Sequence, residues 1–284
     1  MIITKIIGGL GNQLFQYTAG RCLAHLNNTD LKLDVTAFDE YKLRNFDLFN
    51  LNVSAQFAND QEILNLMPST KVARAWQRLL PVKKRHYYRQ PFFHFDPKFY
   101  KAGANTYIKG YWQSEKYFLP IRDTIIKELT FKPGVIDNVM GFVKELQQAQ
   151  SVAVHIRRGD YTNSVATEMH GILPVEYYQK AMTYIRKQHE DAKFYFFSDD
   201  MLWVKDNLNI ENMEFVSGKI SKSHYEDFFL MSKCHHNVIA NSSFGWWAAW
   251  LNNNPDKIVV APKNWFNKGP KDTQDLLPSS WIKI

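Results

Sequence analysis

Two cysteines, Cys22 and Cys234, are all that the 284 residues contain. That scarcity excludes a disulfide framework, and both thiols are expected to be reduced and buried in a cytosolic protein. Long apolar runs are missing too: none approaches the roughly 18 residues that suggest a membrane span. The first residues, Met1-Ile2-Ile3-Thr4-Lys5, put no basic region ahead of a long apolar segment. They read as a strand and not as a signal peptide. The N-x-S/T triplets at Asn27, Asn52 and Asn241 are then expected to stay unmodified. No repeat or low-complexity tract is visible. Hydrophobic residues make up 45% of the chain and charged ones 22%, a balance that excludes disorder and supports a packed core.

Acids are missing locally. From Lys71 to Gln90 the chain has Lys71, Arg74, Arg78, Lys83, Lys84, Arg85 and Arg89 and no Asp or Glu, within a net charge of +7. Val72, Ala75, Trp76 and Leu79 recur between them at helical spacing. Two readings stand side by side: a solvated helix and loop, or a patch for an anionic membrane surface or polyanion. In the second reading the segment 71–89 holds a cytoplasmic protein against the inner membrane.

What is present is a regular alternation. In the second half the spacing predicts strands at 152–156, 194–197, 214–216, 237–240 and 258–261, with helices at 175–188, 201–208, 224–234 and 244–251 between them. Short apolar strands alternating with helices mean βαβ units, a parallel sheet and right-handed crossovers. The first half reads as a strand at 2–7, a glycine turn at 8–11, a helix at 12–25 and strands at 31–35 and 107–111, with a helix at 121–129. Residues 40–100 give no clear pattern. Two domains are expected, 1–140 and 141–284, with the break near Pro133-Gly134.

Ligands of open parallel sheets bind beyond the carboxyl ends of the strands. Three polar blocks are predicted there: His155-Ile156-Arg157-Arg158-Gly159-Asp160, Ser198-Asp199-Asp200 and Asn241-Ser242-Ser243-Phe244-Gly245. The last suits a phosphate at a helix N-terminus, or a plain helix cap. In the second, an ionised carboxylate is an acceptor for paired N–H groups such as those of guanine; capping and, less well, a metal are the other readings. In the first, Asp160 pairs with one arginine at the turn and leaves the other for an external anion, which the planar guanidinium suits. The amino-terminal Gly9-x-Gly11, with Asp34 further on, partly matches a dinucleotide fingerprint, but Leu14 stands at the third glycine. This keeps an NAD(P)-dependent oxidoreductase as one alternative; a non-enzymatic polyanion-binding protein is the other. No nucleic-acid partner is expected.

Five blocks occur in order: Gly8-Gly9-Leu10-Gly11-Asn12-Gln13-Leu14-Phe15-Gln16-Tyr17, Gly110-Tyr111-Trp112-Gln113-Ser114, His155 to Tyr161, Phe197-Ser198-Asp199-Asp200 and Asn241-Ser242-Ser243-Phe244-Gly245-Trp246-Trp247. Together they resemble the bacterial α-1,2-fucosyltransferases of glycosyltransferase family 11, over nearly the whole chain. The resemblance implies an α/β, GT-B-like fold of two Rossmann-like domains whose parallel sheets face a central cleft. The first domain would be the acceptor side and the second the GDP-fucose side. It implies metal-independent, inverting transfer of L-fucose from GDP-β-L-fucose to the 2-hydroxyl of a galactose in a glycan acceptor, as in surface polysaccharide or O-antigen synthesis. No cofactor beyond the donor is implied. By the same resemblance Arg157 holds the β-phosphate, and Asp199, with Asp200 as alternative, reads guanine. Ser242, Ser243 and Phe244 cradle the diphosphate. Asn12, beside Gly11, lies near the fucose and the leaving oxygen, and His155 lines the donor site. Arg158 with Asp160 is expected to hold the turn. Asp160 is also the candidate general base, with Glu168, His170 and Asp39 as the other candidates.

Overall fold

The computed structural model describes residues 1–40, 45–159 and 168–284. The chain forms two units, Met1–Lys132 with Asp272–Pro278, and Pro133–Lys271 with Ser279–Ile284.

The first unit carries β1 (Ile2–Lys5), β2 (Leu31–Asp34), β3 (Gln56–Phe57), β4 (Tyr87–Arg89) and β5 (Thr106–Lys109), in the order β3-β2-β1-β5-β4, all parallel. The helix Leu10–Leu26 starts before the point that its apolar spacing suggests, so Gly9 is its N-cap and Gly11 lies in its first turn. Gly8 alone takes the left-handed conformation that ends the loop from β1, with φ +81°. Two fully buried glutamines pin this loop. Gln13 donates to the carbonyls of Gly8 and Asn45 (both 2.8 Å) and accepts from the Asp47 N–H, while Gln16 accepts from Ile7 N–H at 2.8 Å. Residues 272–278 return to this unit through their acids: Asp272 accepts from the N–H groups of Phe93 and His94, and Asp275 from Phe95 N–H and Lys116.

The second unit carries β6 (Ser151–Ile156), β7 (Lys193–Ser198), β8 (Met213–Phe215), β9 (His236–Val238), β10 (Val259–Ala261) and β11 (Ile282–Lys283), in the order β11-β10-β9-β6-β7-β8. All pairs are parallel. Every residue of β6 is buried, as a strand covered on both faces requires. Val152, Val154 and Ile156 face one way, onto Tyr177, Tyr178, Ala181 and Ile185 of the helix Val175–Arg186. His155 faces the other way, toward the helix Ser243–Trp250. Alternation along one strand thus sends aliphatic side chains into the core and the histidine beneath the residues that follow β9.

Candidate active site

The register of β6 against β7 builds the site of the second unit. Ile156 lies opposite Ser198, so the next residues, Arg157 and Asp199, leave the sheet side by side. Arg157 Nη1 stands 3.0 Å from Asp199 Oδ2. Asp199 Oδ1 also accepts from the Arg158 N–H at 2.9 Å. A Cβ on Gly159 would come within 2.9 Å of the same carboxylate, so the close approach requires glycine. One residue further on, Arg158 Nε reaches Asp200 Oδ2 at 3.4 Å, and its guanidinium lies 3.9 Å from the centroid of the Trp203 ring. Asp200 caps the helix Met201–Asn207 by accepting from Trp203 N–H at 3.1 Å. The capping reading of this block therefore holds. The idea that one arginine is left without a carboxylate does not: each faces one from the end of β7. Asp160, its expected partner, lies outside the described residues.

At the end of β9, Ser242 caps the helix Ser243–Trp250, its hydroxyl accepting from Phe244 N–H at 3.3 Å. Asn241 donates to the carbonyls of His170, Gly171 and Trp265 and holds the approach to the cap. His155 is 4% exposed, beneath this turn. Its ring centroid is 5.7 Å from that of Phe244, and a Cβ on Gly245 would meet its Nδ1 at 2.5 Å. Burial first, and Arg157 second, against the opposing pull of Asp199, lower its pKa to about 4. At neutral pH His155 is an uncharged support under the capped helix terminus.

A further carboxyl at this edge escapes sequence reading. Asp227 accepts from the Ser217 hydroxyl at 2.7 Å and from that of Ser221, and the Ser217 oxygen accepts from Ser198 N–H at 3.1 Å. Burial raises its pKa to about 6 against the pull of the two hydroxyls. In sequence Asp227 looks like an acid of a helix first turn, because Ser223 and Glu226 form a capping box just before it. The one signal for it is the short strand pattern of β8, Met213-Glu214-Phe215, and the turn that follows, which together place Ser217 at a strand end.

In the first unit, Asn12 is half-buried at the start of its helix, and Gln113 donates to its side-chain oxygen at 2.7 Å. Asp34, the acid that a dinucleotide fingerprint would turn to a ribose, is 1% exposed. It accepts from Tyr107 Oη at 2.6 Å, Thr36 and Lys5. Burial would raise its pKa, but these bonds outweigh it and hold the carboxyl below its ordinary range. That commitment takes away the acid on which the dinucleotide reading depends. Of the other base candidates, Asp39 is exposed, Glu168 pairs with Lys268, and burial lowers the pKa of half-buried His170.

The segment 71–89 is a helix, Lys71–Gln77, with no buried residue, followed by a turn and β4. Val72 and Trp76 of this helix, one turn apart, and Leu79 of the turn that follows it are 71%, 63% and 76% exposed and make an apolar stripe on the surface. Lys71, Arg78, Lys83, Lys84 and Arg89 are exposed around it, whereas Arg74 and Arg85 bond to backbone carbonyls. Among the described residues no helix is long and apolar enough to cross a membrane.

Known proteins share both the sequence and the fold. Glycosyl transferase family 11 matches residues 1–284. The Alpha-1,2-colitosyltransferase of Escherichia coli is 32% identical, over 100% of this chain and 99% of that protein. The O-antigen biosynthesis glycosyltransferase WbnK of Escherichia coli is 33% identical, over 98% of each chain. Among solved structures, a point mutant of Arabidopsis thaliana FUT1 in complex with GDP superposes with a TM-score of 0.52 at 12% identity, covering 99% of this chain and 75% of that one. That likeness concerns the fold alone, which is GT-B-like: two α/β units, each on a parallel sheet. The chain belongs to glycosyl transferase family 11, and it is a glycosyltransferase.

Proposed function

We propose that the protein transfers L-fucose from GDP-β-L-fucose to the 2-hydroxyl of a galactose in a glycan acceptor, with inversion and without a metal ion, in surface polysaccharide or O-antigen synthesis. The observation that supports this reading is the Arg157 guanidinium held by Asp199 in the same sheet whose β9 leads into the capped helix Ser243–Trp250. In the reaction the bond from fucose C1 to the β-phosphate oxygen breaks. The galactose oxygen bonds to C1 from the opposite face, its proton passes to a base, and GDP departs with the electron pair. Negative charge grows on the β-phosphate as the bond breaks. A guanidinium whose plane is already fixed stabilises that charge more than it stabilises the ground state. Ser242, Ser243 and Phe244 hold the diphosphate at the helix terminus, and Asn12 donates to the leaving oxygen. Guanine is read by a carboxylate of the same edge, Asp199 or Asp200, with Asp227 as the further acceptor present there. Asp160 is retained as the base.

The relative named for colitose transfer sets the decisive comparison, because colitose is fucose without its 3-hydroxyl. A site that hydrogen-bonds a hydroxyl rejects the analogue lacking it by about 10⁴–10⁵. GDP release is measured with fucosyl, colitosyl and mannosyl donors on a panel of galactosides, with EDTA present. Transfer from GDP-fucose that persists in EDTA and is lost, by about 10²–10³, in a folded Arg157→Ala protein supports the reading. Preference for the colitosyl donor overturns the sugar assignment, and a fully active Arg157→Ala protein overturns the site. Lysine at 157 rescues poorly, since it lacks the planar fork.

We also propose that the stripe Val72-Trp76-Leu79 and its exposed cations rest on an anionic lipid surface, with the enzyme at the cytoplasmic face of the inner membrane. The apolar residues enter the headgroup region while the cations meet anionic lipid. Flotation with anionic and neutral vesicles tests it. Equal recovery with both, or a Lys83→Glu/Lys84→Glu protein that floats as well as wild type, counts against it.

A further inference from the structure

The turn Gly110-Tyr111-Trp112-Gln113-Ser114 has no part in the donor chemistry above, yet its path is fixed from several sides. Trp112 is fully buried with φ +54°, a left-handed conformation that a bulky residue adopts only where its surroundings impose it. Its indole packs against Phe99 and Tyr117, with centroids 4.9 and 5.2 Å away. Gln90 Oε1 accepts from both Tyr111 N–H, at 2.8 Å, and Trp112 N–H, at 3.0 Å. Ser114 N–H closes the turn onto the Trp112 carbonyl at 2.8 Å. A Cβ on Gly110 would come within 2.5 Å of Gln90 and 2.9 Å of Trp112.

What this bracing delivers is one side chain. Gln113, 9% exposed, donates its Nε2 to Asn12 Oδ1 at 2.7 Å. A carboxamide has a donor end and an acceptor end. Once the acceptor end of Asn12 is taken up by Gln113, the end turned elsewhere is the Nδ2 donor. A Cβ on Gly8 would lie 2.9 Å from that nitrogen, so the glycine leaves the donor end its space. We infer that Gln113 is a positioning residue that sets the orientation of the Asn12 amide, so that Asn12 offers N–H and not C=O to the oxygen leaving with the diphosphate. The inference rests on the proposed role of Asn12 at that oxygen. A reversed amide would present a carbonyl to growing negative charge, so the gain is felt in the transition state and not in donor binding.

The experiment is a double-mutant cycle on fucosyl transfer, with kcat and the KM for GDP-fucose measured separately. Asn12→Ala is expected to lower kcat by about 10²–10³. Gln113→Leu is expected to lower it by about 10–10², with KM changed by less than about twofold. The protein with both changes should be no slower than Asn12→Ala alone, because Gln113 acts only through Asn12. Gln113→Glu, which keeps the shape and loses the donor, should be slow at pH 8 and recover as the pH falls toward 5 and the carboxyl gains a proton to donate. It also serves where Gln113→Leu fails to fold. Losses that multiply in the double variant, or a Gln113→Glu protein with the wild-type pH profile, overturn the positioning role while leaving that of Asn12 intact. An Asn12→Ala protein with wild-type kcat overturns both.

Discussion

Gly245→Ala adds a single methyl group, and the structure says where it goes: 2.5 Å from His155 Nδ1 and 3.2 and 3.3 Å from two ring carbons, inside the 3.4 Å at which ordinary contact begins. The imidazole has no room to yield. It is 4% exposed, sits on a strand buried along its whole length, and meets Phe244 on its flank. The helix Ser243–Trp250 must therefore lift from the sheet. Overpacking of this kind costs about 2 kcal/mol, or roughly 4–8 °C in melting temperature for a protein of this size. The lift also displaces the capped turn at Ser242. GDP affinity should fall about 3–10-fold, the share of an anion site that a helix terminus supplies. Gly141→Ala is the control: it lies in the helix Met140–Gln148 with nothing within 4 Å of the added carbon, and should gain about 0.4–1 kcal/mol by restricting the unfolded chain. Thermal melts and calorimetric GDP titration read both variants. A Gly245→Ala protein that melts and binds like wild type would refute the account of how strand and helix meet.

Two other outcomes follow from the same edge of the sheet. His155, with its folded pKa lowered to about 4 by burial and Arg157, contributes stability that is complete above its unfolded value of about 6.5 and disappears as the pH falls through 4. Denaturant titrations from pH 7 to pH 4 should show a loss of up to about 3 kcal/mol that His155→Gln does not share; parallel curves for the two proteins would contradict the buried neutral imidazole. Trp203→Leu removes the ring under Arg158 and should cost about 1 kcal/mol by chemical denaturation, with GDP affinity altered less than about threefold because Asp200 still holds the guanidinium; a tenfold loss of affinity would show that the indole does more than seat the arginine.

The second half of the fold is legible because its central strands β6, β7, β9 and β10 are buried, covered on both faces. Val152-Ala153-Val154 and Phe194-Tyr195-Phe196-Phe197 are continuous apolar runs, and a short run of that kind followed by a helical period fits a buried parallel strand and its crossover helix. Residues 40–100 are not legible for the opposite reason. β3 has two residues and β4 three, and the helix Asp60–Leu66 has seven, too short for either period to emerge; only the helix Lys71–Gln77 shows its spacing. Tyr88 and Phe99 there are spent on a cluster with Trp112 and Tyr117, distant in sequence. At the site, spacing finds the blocks but not their pairing. That Arg157 faces Asp199 depends on the register of β6 with β7, which no local pattern encodes. Asp227 is missed because its carboxyl owes its raised pKa to burial, and its partners are Ser217 and Ser221, none of which is apparent until the chain is folded.

The return of residues 272–278 to the first unit, before Ser279–Ile284 rejoin the second, has a consequence for how the halves can be separated or exchanged. The chain passes between them three times, so no single cut divides it into two complete pieces. A fragment ending at Lys132 lacks the acids that cap Phe93, His94 and Phe95, and a fragment starting at Pro133 carries those acids without their partners. An exchange of the two units between relatives would have to be spliced at three junctions, which ties the inheritance of the two together.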